Sequence, residues 1–169
     1  STEMKNRALA AVSEALERHR EDILRANSGD LSAAEKEGLS PPLLKRLRLG
    51  REKIEQVRRS VESVASLNDP VGKILSAREL DTGLELYQVS CPLGVIGMVF
   101  ESRPDALVQI ASLALKSGNA LLLKGGREAQ RTNEVLTSII RNASENAGIP
   151  KGWIHLLETR EDVQEMLKL

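Results

Sequence analysis

Residues 95–123 read VIGMVFESRPDALVQIASLALKSGNALLL, and this stretch decides the fold. Its first six residues, 95–100, form a short and nearly all-apolar run, as expected of a parallel strand buried on both faces. Over 106–116, Leu107, Ile110, Leu113 and Ala114 recur at helical spacing, and Ser117-Gly118-Asn119 ends that helix. Residues 120–123 are a second buried strand. The alternation continues downstream. Residues 128–146 read as a long helix with Val135, Leu136, Ile139 and Ile140 inward, closed by Gly148-Ile149-Pro150. Residues 153–157 read as a third strand and 161–169 as a further helix. Strand and helix in turn imply right-handed crossovers and a parallel sheet. Three strands make half of a doubly wound sheet. The expected class is α/β: N-terminal helices, a β-hairpin arm and half of a Rossmann-like parallel sheet.

Upstream, the chain reads as helix. Leu9, Val12, Leu16, Ile23 and Leu24 fall near helical spacing, and Asn27-Ser28-Gly29-Asp30 is expected to break that helix. Ser32-Ala33-Ala34-Glu35 has the spacing of a capping box and is expected to open a short helix ended by Gly38. Ser40-Pro41-Pro42 starts another. Ile54, Val57, Val61, Val64 and Leu67 mark an amphipathic helix over 51–67, with Arg51, Glu52, Arg58, Arg59 and Glu62 as its solvated belt. After the breaker Asn68-Asp69-Pro70-Val71-Gly72, residues 73–80 and 84–90 flank Asp81-Thr82-Gly83 as a hairpin. Neither face of that ribbon is clearly apolar, so it is expected to lie on another surface. The segments expected are 1–70 (helical), 71–93 (hairpin arm) and 94–169 (half-sheet).

Composition narrows the function. The chain has 169 residues, with 24 Lys+Arg against 24 Asp+Glu, and this balance argues against a dedicated nucleic-acid binder. Aromatics are 2%, which leaves almost nothing for base stacking. No apolar run approaches the roughly 20 residues of a membrane span, and the first residues lack a signal-peptide pattern. The single cysteine, Cys91, excludes an internal disulfide, has no activating neighbour in sequence and reads as structural. His19 and His155 lack metal-ligand spacing, and Trp153 reads as packing.

Open parallel sheets bind ligands beyond the carboxyl ends of their strands. Three polar segments leave those ends: Glu101-Ser102-Arg103-Pro104-Asp105, Lys124-Gly125-Gly126-Arg127-Glu128 and Glu158-Thr159-Arg160. The two glycines let backbone approach a ligand, and a cationic pair after a second strand suits the 2′-phosphate of NADP. The alternative is a glycine-rich turn with two solvated cations. Arg103 can clamp a carboxylate or phosphate, or it is a surface arginine paired with Asp105. Neither the G-x-G-x-x-G fingerprint nor a P-loop is present.

The stretches Pro92-Leu93-Gly94-Val95-Ile96-Gly97, Phe100-Glu101-Ser102-Arg103-Pro104-Asp105 and Leu115–Glu128, with its LLLKGGRE core, resemble the gamma-glutamyl phosphate reductases of the aldehyde dehydrogenase superfamily. The resemblance runs from the first helix to the last residue but covers only the N-terminal part of such an enzyme, a truncated aldehyde dehydrogenase-like fold. It implies reduction of L-glutamyl 5-phosphate by NADPH to glutamate 5-semialdehyde with release of phosphate, a step of proline synthesis, in the cytoplasm. A thiolate attacks the acyl phosphate and hydride reduces the thioester. That cysteine is expected beyond residue 169, so the isolated chain is expected to be inactive.

Residue by residue, the resemblance implies that Val99, Phe100, Glu101 and Ser102 run along the cofactor. Lys124 reaches the adenosine ribose, with Gly125 beside it and Arg127 or Glu128 at the neighbouring ribose position. Glu158, Thr159 and Arg160 lie near the pyrophosphate. Arg103 stands where the superfamily has an oxyanion-binding asparagine, and a cation there suits an acyl phosphate. The hairpin matches an arm used in homo-oligomer contacts, and fusion to a glutamate 5-kinase is a further expectation. Two other readings are an aldehyde or acyl-CoA dehydrogenase, for which P-W-N would replace Glu101-Ser102-Arg103, and a non-catalytic partner-binding module.

Overall fold

The computed structural model describes residues 1–168, with the side chain of Arg160 left aside. Four helices come first: α1 (Thr2–Arg18), α2 (Arg20–Lys36), α3 (Pro41–Leu47) and α4 (Arg51–Ser66). The hairpin follows as β1 (Ile74–Asp81) and β2 (Leu84–Val89). The remainder runs β3 (Val95–Val99), α5 (Pro104–Lys116), β4 (Ala120–Lys124), a 3-10 turn over Arg127–Ala129, α6 (Gln130–Asn146), β5 (Ile154–Leu156) and α7 (Arg160–Met166). The expected helix end at Leu169 lies outside the described residues. No described helix is long and apolar enough to cross a membrane.

The sheet has the order β3-β4-β5, with both pairings parallel. Val95 to Val99 pair in step with Ala120 to Lys124, and Leu121 to Leu123 with Ile154 to Leu156. Paired residues share a face. One face carries Ile96, Met98, Leu121, Leu123, Ile154 and Leu156, all of them within or against the main core. That core also takes Leu9, Val12 and Leu16 of α1, Ile54, Val57 and Val61 of α4, Leu107 and Val108 of α5, and Leu136 and Ile140 of α6. Burying each such side chain contributes about 1.5–3 kcal/mol, so helices and sheet are held by one shared apolar interior.

The other face differs from the sequence expectation. Val95 and Val99 are 66% and 61% exposed, so β3 is not buried on both sides. The helical layer covers one face, and on the other α7 lies against β3: a Cβ at Gly97 would collide with Met166. Gly97 is therefore where the helix crosses the strand.

The expected break at residues 27–30 does not occur, because α2 runs through it; the helical path is interrupted at His19 instead. Asn27 and Asp30 are buried against neighbours and are not turned outward to a loop, while Ser28 is exposed on the helix. Asn27 donates from Nδ2 to Leu47 O at 2.9 Å and accepts at Oδ1 from Leu49 N at 2.8 Å. Gly29 lies against the Arg131 side chain, whose guanidinium a Cβ there would push aside. Ser32 lies mid-helix and opens nothing, although α2 does stop just before Gly38, at φ +74°.

The hairpin forms as expected, antiparallel around Thr82-Gly83, with Gly83 at φ +76°. Leu80, Leu84, Leu86 and Tyr87 are all 50–59% exposed. Two strands alone are marginal in water.

Candidate functional site

The carboxyl ends of β3 and β4 open into a cleft of about 710 Å3 lined by Val99, Phe100, Glu101, Lys124, Gly125, Gly126 and Val163. That volume lies within the range of small-molecule sites. The sheet ladder continues into it, because Phe100 N donates to Lys124 O at 3.0 Å. Lys124 shares its face of the sheet with Val99 and Leu122, and its ammonium donates to Gly125 O at 2.7 Å. A second groove, of about 780 Å3, lies between α1, α2 and α6, with Ala11, Ala15, Val135 and Ile139 in its lining. It contains none of the strand-end residues.

Six residues singled out from sequence meet in the strand-end cleft: Val99, Phe100, Glu101, Lys124, Gly125 and Gly126. Val163 of α7 is a seventh wall residue that sequence reasoning missed, and nothing in its local pattern marks it. The two glycines have a reason other than ligand approach. A Cβ at Gly125 would overlap the Asn133 amide and lie 3.2 Å from the Phe100 ring, and one at Gly126 would overlap the Glu128 carboxylate. Side chains of the protein itself occupy the space that the glycines leave.

Ser102 and Glu128 meet beside this cleft, joined to each other. Glu128 Oε1 accepts from Ser102 N at 2.7 Å and from Ser102 Oγ at 2.6 Å. Ser102 is 3% exposed and sits at φ +42°. Burial pushes the Glu128 carboxyl up, but hydrogen bonds from Ser102 and from backbone, with the Lys124 charge, hold it below its ordinary value.

The other expected residues lie apart. Arg103 is half exposed and pairs with Asp105 at 3.3 Å, while Lys53 of α4 stands 3.2 Å from the other oxygen of that carboxylate. Arg103 thus takes the surface pairing that sequence left open. Arg127 is exposed and stands nearer, lining a small hollow that shares Lys124, Gly125 and Gly126 with the cleft and reaches Glu158. Thr159 caps α7: its hydroxyl accepts from Asp162 N at 3.1 Å, and Asp162 Oδ2 accepts from Thr159 N at 2.8 Å. The Thr-x-x-Asp spacing of this capping box is legible in the sequence. These bonds from Thr159, joined by the Glu158 N–H, hold the Asp162 carboxyl down. A carboxylate thus fills the start of α7. The Arg160 side chain lies outside the described residues.

Cys91 is free and exposed, ahead of β3 and so at the end of that strand opposite the cleft. Among the described residues no group of His, Cys, Asp and Glu is placed to hold a metal ion. Trp153 packs, donating from Nε1 to Ser144 Oγ at 2.8 Å.

No family model matches the chain. A gamma-glutamyl phosphate reductase of Pelotomaculum thermopropionicum is 59% identical over 168 residues, which cover 99% of this chain and 39% of that protein. The crystal structure of a gamma-glutamyl phosphate reductase from Thermotoga maritima superposes with a TM-score of 0.95 at 37% identity, covering 99% of this chain and 41% of that one. An NAD-dependent benzaldehyde dehydrogenase from Corynebacterium glutamicum shares the fold at a TM-score of 0.64 and 20% identity, over 94% of this chain and 31% of its own. The chain thus spans about two-fifths of the length of the reductases it matches. Across that span, in sequence and in backbone, it is homologous to the gamma-glutamyl phosphate reductases and has an aldehyde dehydrogenase fold.

Proposed function

We propose that this chain is the cofactor side of an enzyme that reduces L-glutamyl 5-phosphate with NADPH, releasing phosphate and glutamate 5-semialdehyde for proline synthesis in the cytoplasm. The observation that carries the reading is the 59% identity to a gamma-glutamyl phosphate reductase across 99% of the chain. The cleft at the ends of β3 and β4 supplies a place for the nicotinamide nucleotide. A doubly wound sheet binds such a ligand at this end of its strands.

In this reading Val99, Phe100 and Glu101 run along the nucleotide. Lys124 turns from Gly125 O to the 2′-phosphate, and Arg127 adds positive charge nearby. That favours NADPH over NADH. Thr159 and Arg160 are assigned to the pyrophosphate by the resemblance, and a pyrophosphate at the start of α7 would have to displace the Asp162 carboxylate from Thr159. Arg103 would have to leave Asp105 to meet the acyl phosphate or the oxyanion. The bound nicotinamide supplies hydride. The residues of this chain bind it and orient it. The nucleophilic thiolate belongs to the rest of the enzyme, since Cys91 lies at the wrong end of β3. The hairpin, with leucines exposed on an otherwise unsupported ribbon, joins copies of the protein into a homo-oligomer. Fusion to a glutamate 5-kinase remains part of the proposal.

The test is an assay of the full-length protein containing this chain with glutamyl phosphate and NADPH. NADPH oxidation matched one for one by phosphate release is the expected result. The chain alone should show neither. That second outcome would also fit a non-catalytic module, a reading favoured by the position of Cys91. Turnover by the full-length protein separates the two.

A further inference from the structure

The resemblance sends Glu128 toward the cofactor ribose, but the geometry directs it inward. We infer that Glu128 is a positioning residue: its carboxylate latches the loop after β3 to the loop after β4, and it acts on the cofactor through Lys124 and Phe100 without touching it. This rests on the cofactor-binding reading above.

Three observations converge on the same oxygen. Glu128 Oε1 takes both donors that Ser102 offers, the N–H at 2.7 Å and the hydroxyl at 2.6 Å. Ser102 is the one described non-glycine residue at positive φ, and it is 3% exposed. A Cβ resists that left-handed conformation, which persists where the surroundings over-determine it. Here two hydrogen bonds to one carboxylate do so. Finally, a Cβ at Gly126 would overlap that carboxylate, so the glycine is needed by the latch.

The latch lies two residues beyond Phe100, whose N–H bonds Lys124 O and whose ring rests on Gly125. The two loops are therefore tied at the ladder, at the ring and at the carboxylate. Release of the last tie frees Ser102 to relax and lets the Lys124–Gly126 segment move away from Phe100. Turning the carboxylate outward to a ribose would instead leave Ser102 without an acceptor for either buried donor, whereas a contact through Oε2 alone would keep both bonds, and the cycle below separates these cases.

The test is a double-mutant cycle on the full-length protein, read as dissociation constants for NADPH and NADH. Glu128→Ala should weaken NADPH about tenfold and NADH less, because the displaced Lys124 serves the 2′-phosphate, and Ser102→Ala should weaken NADPH about threefold with the same bias. The double variant should be no worse than Glu128→Ala alone. Gly126→Ala should reproduce the Glu128→Ala effect, and Glu128→Gln, whose amide oxygen still accepts from Ser102, should restore most of the affinity. A carboxylate on the ribose makes a different prediction: Glu128→Ala would weaken NADH, with its free 2′-hydroxyl, at least as much as NADPH, and the Ser102 and Glu128 effects would multiply. Either result overturns the latch, as does a loss of melting temperature with both dissociation constants unchanged. If Glu128→Ala does not fold, Ser102→Ala and Gly126→Ala carry the same cycle. A wild-type protein that binds neither nucleotide overturns the functional reading itself, and is thereby distinguished from an uncoupled cycle in a protein that binds.

Discussion

Asp30 of α2 caps the start of α6 through Thr132: its Oδ2 accepts from Thr132 N at 2.8 Å and from Thr132 Oγ1 at 2.6 Å, across 102 residues of sequence. Arg131 N donates to Oδ1 of the same carboxylate at 3.3 Å. The positive end of α6 is thus met by a buried charge from another helix, which is where an anion is most stabilising. Asp30→Ala should lower the stability of the full-length protein by about 2–3 kcal/mol, combining a lost cap with unsatisfied buried donors. Urea unfolding reads this directly. Asp30→Asn should cost less, since an amide oxygen still accepts.

A steric clash is the second expectation. Gly125→Ala should destabilise by about 1–3 kcal/mol through overpacking against Asn133 and Phe100. Adding Asn133→Ala removes one of the opposing groups. The double variant should therefore unfold at higher urea than the sum of the single effects predicts. Additive losses would show that the glycine has another purpose.

Acid should loosen the attachment of α1. Thr2 Oγ1 and Lys5 Nζ donate to Asp69 at 2.8 and 2.7 Å, and Val71 N at 3.0 Å. Burial pushes the Asp69 carboxyl up, but the Lys5 ammonium, the Val71 N–H and the Thr2 hydroxyl outweigh it and bring it from 3.8 to about 2. A carboxyl depressed in the folded state stabilises fully above its unfolded value, and that contribution is lost as pH falls through the folded value. The loss should fall between about pH 4 and pH 2. Unfolding free energy measured across that window should drop less steeply in Asp69→Asn than in the wild type.

The hairpin carries the oligomer proposal. Leu84 and Leu86 share one face of β2 and are 56% and 54% exposed. Leu84→Lys with Leu86→Lys should shift the full-length protein to a smaller species in sedimentation while leaving its circular dichroism unchanged. An unaltered sedimentation coefficient would remove the hairpin from the interface.

The α/β alternation was legible because apolar runs and helix-ending glycines are local signals. Residues 95–123 and Gly148-Ile149-Pro150 carry it without reference to the rest of the chain. Several of the failures are matters of distant partners. Asn27 and Asp30 look like helix breakers until Thr132 is seen, 105 and 102 residues away. The openness of Val95 and Val99 depends on which face the helices choose, and an apolar run does not encode that. Gly125-Gly126 announces close approach, but sequence alone does not say whether a ligand or Asn133 and Glu128 do the approaching. Likewise, Arg103 reads equally as an anion clamp and as the partner of Asp105; only the 3.3 Å contact between them in the folded chain shows the surface pairing.

The central claim is that the strand-end cleft was built for a phosphorylated nicotinamide nucleotide. Its most direct test compares the dissociation constants of NADPH and NADH in the full-length protein and in Lys124→Ala. The account predicts tighter NADPH binding in the wild type and a loss of about ten- to a hundredfold for NADPH in the variant, with a much smaller loss for NADH. Equal affinities that Lys124→Ala leaves equal would contradict it.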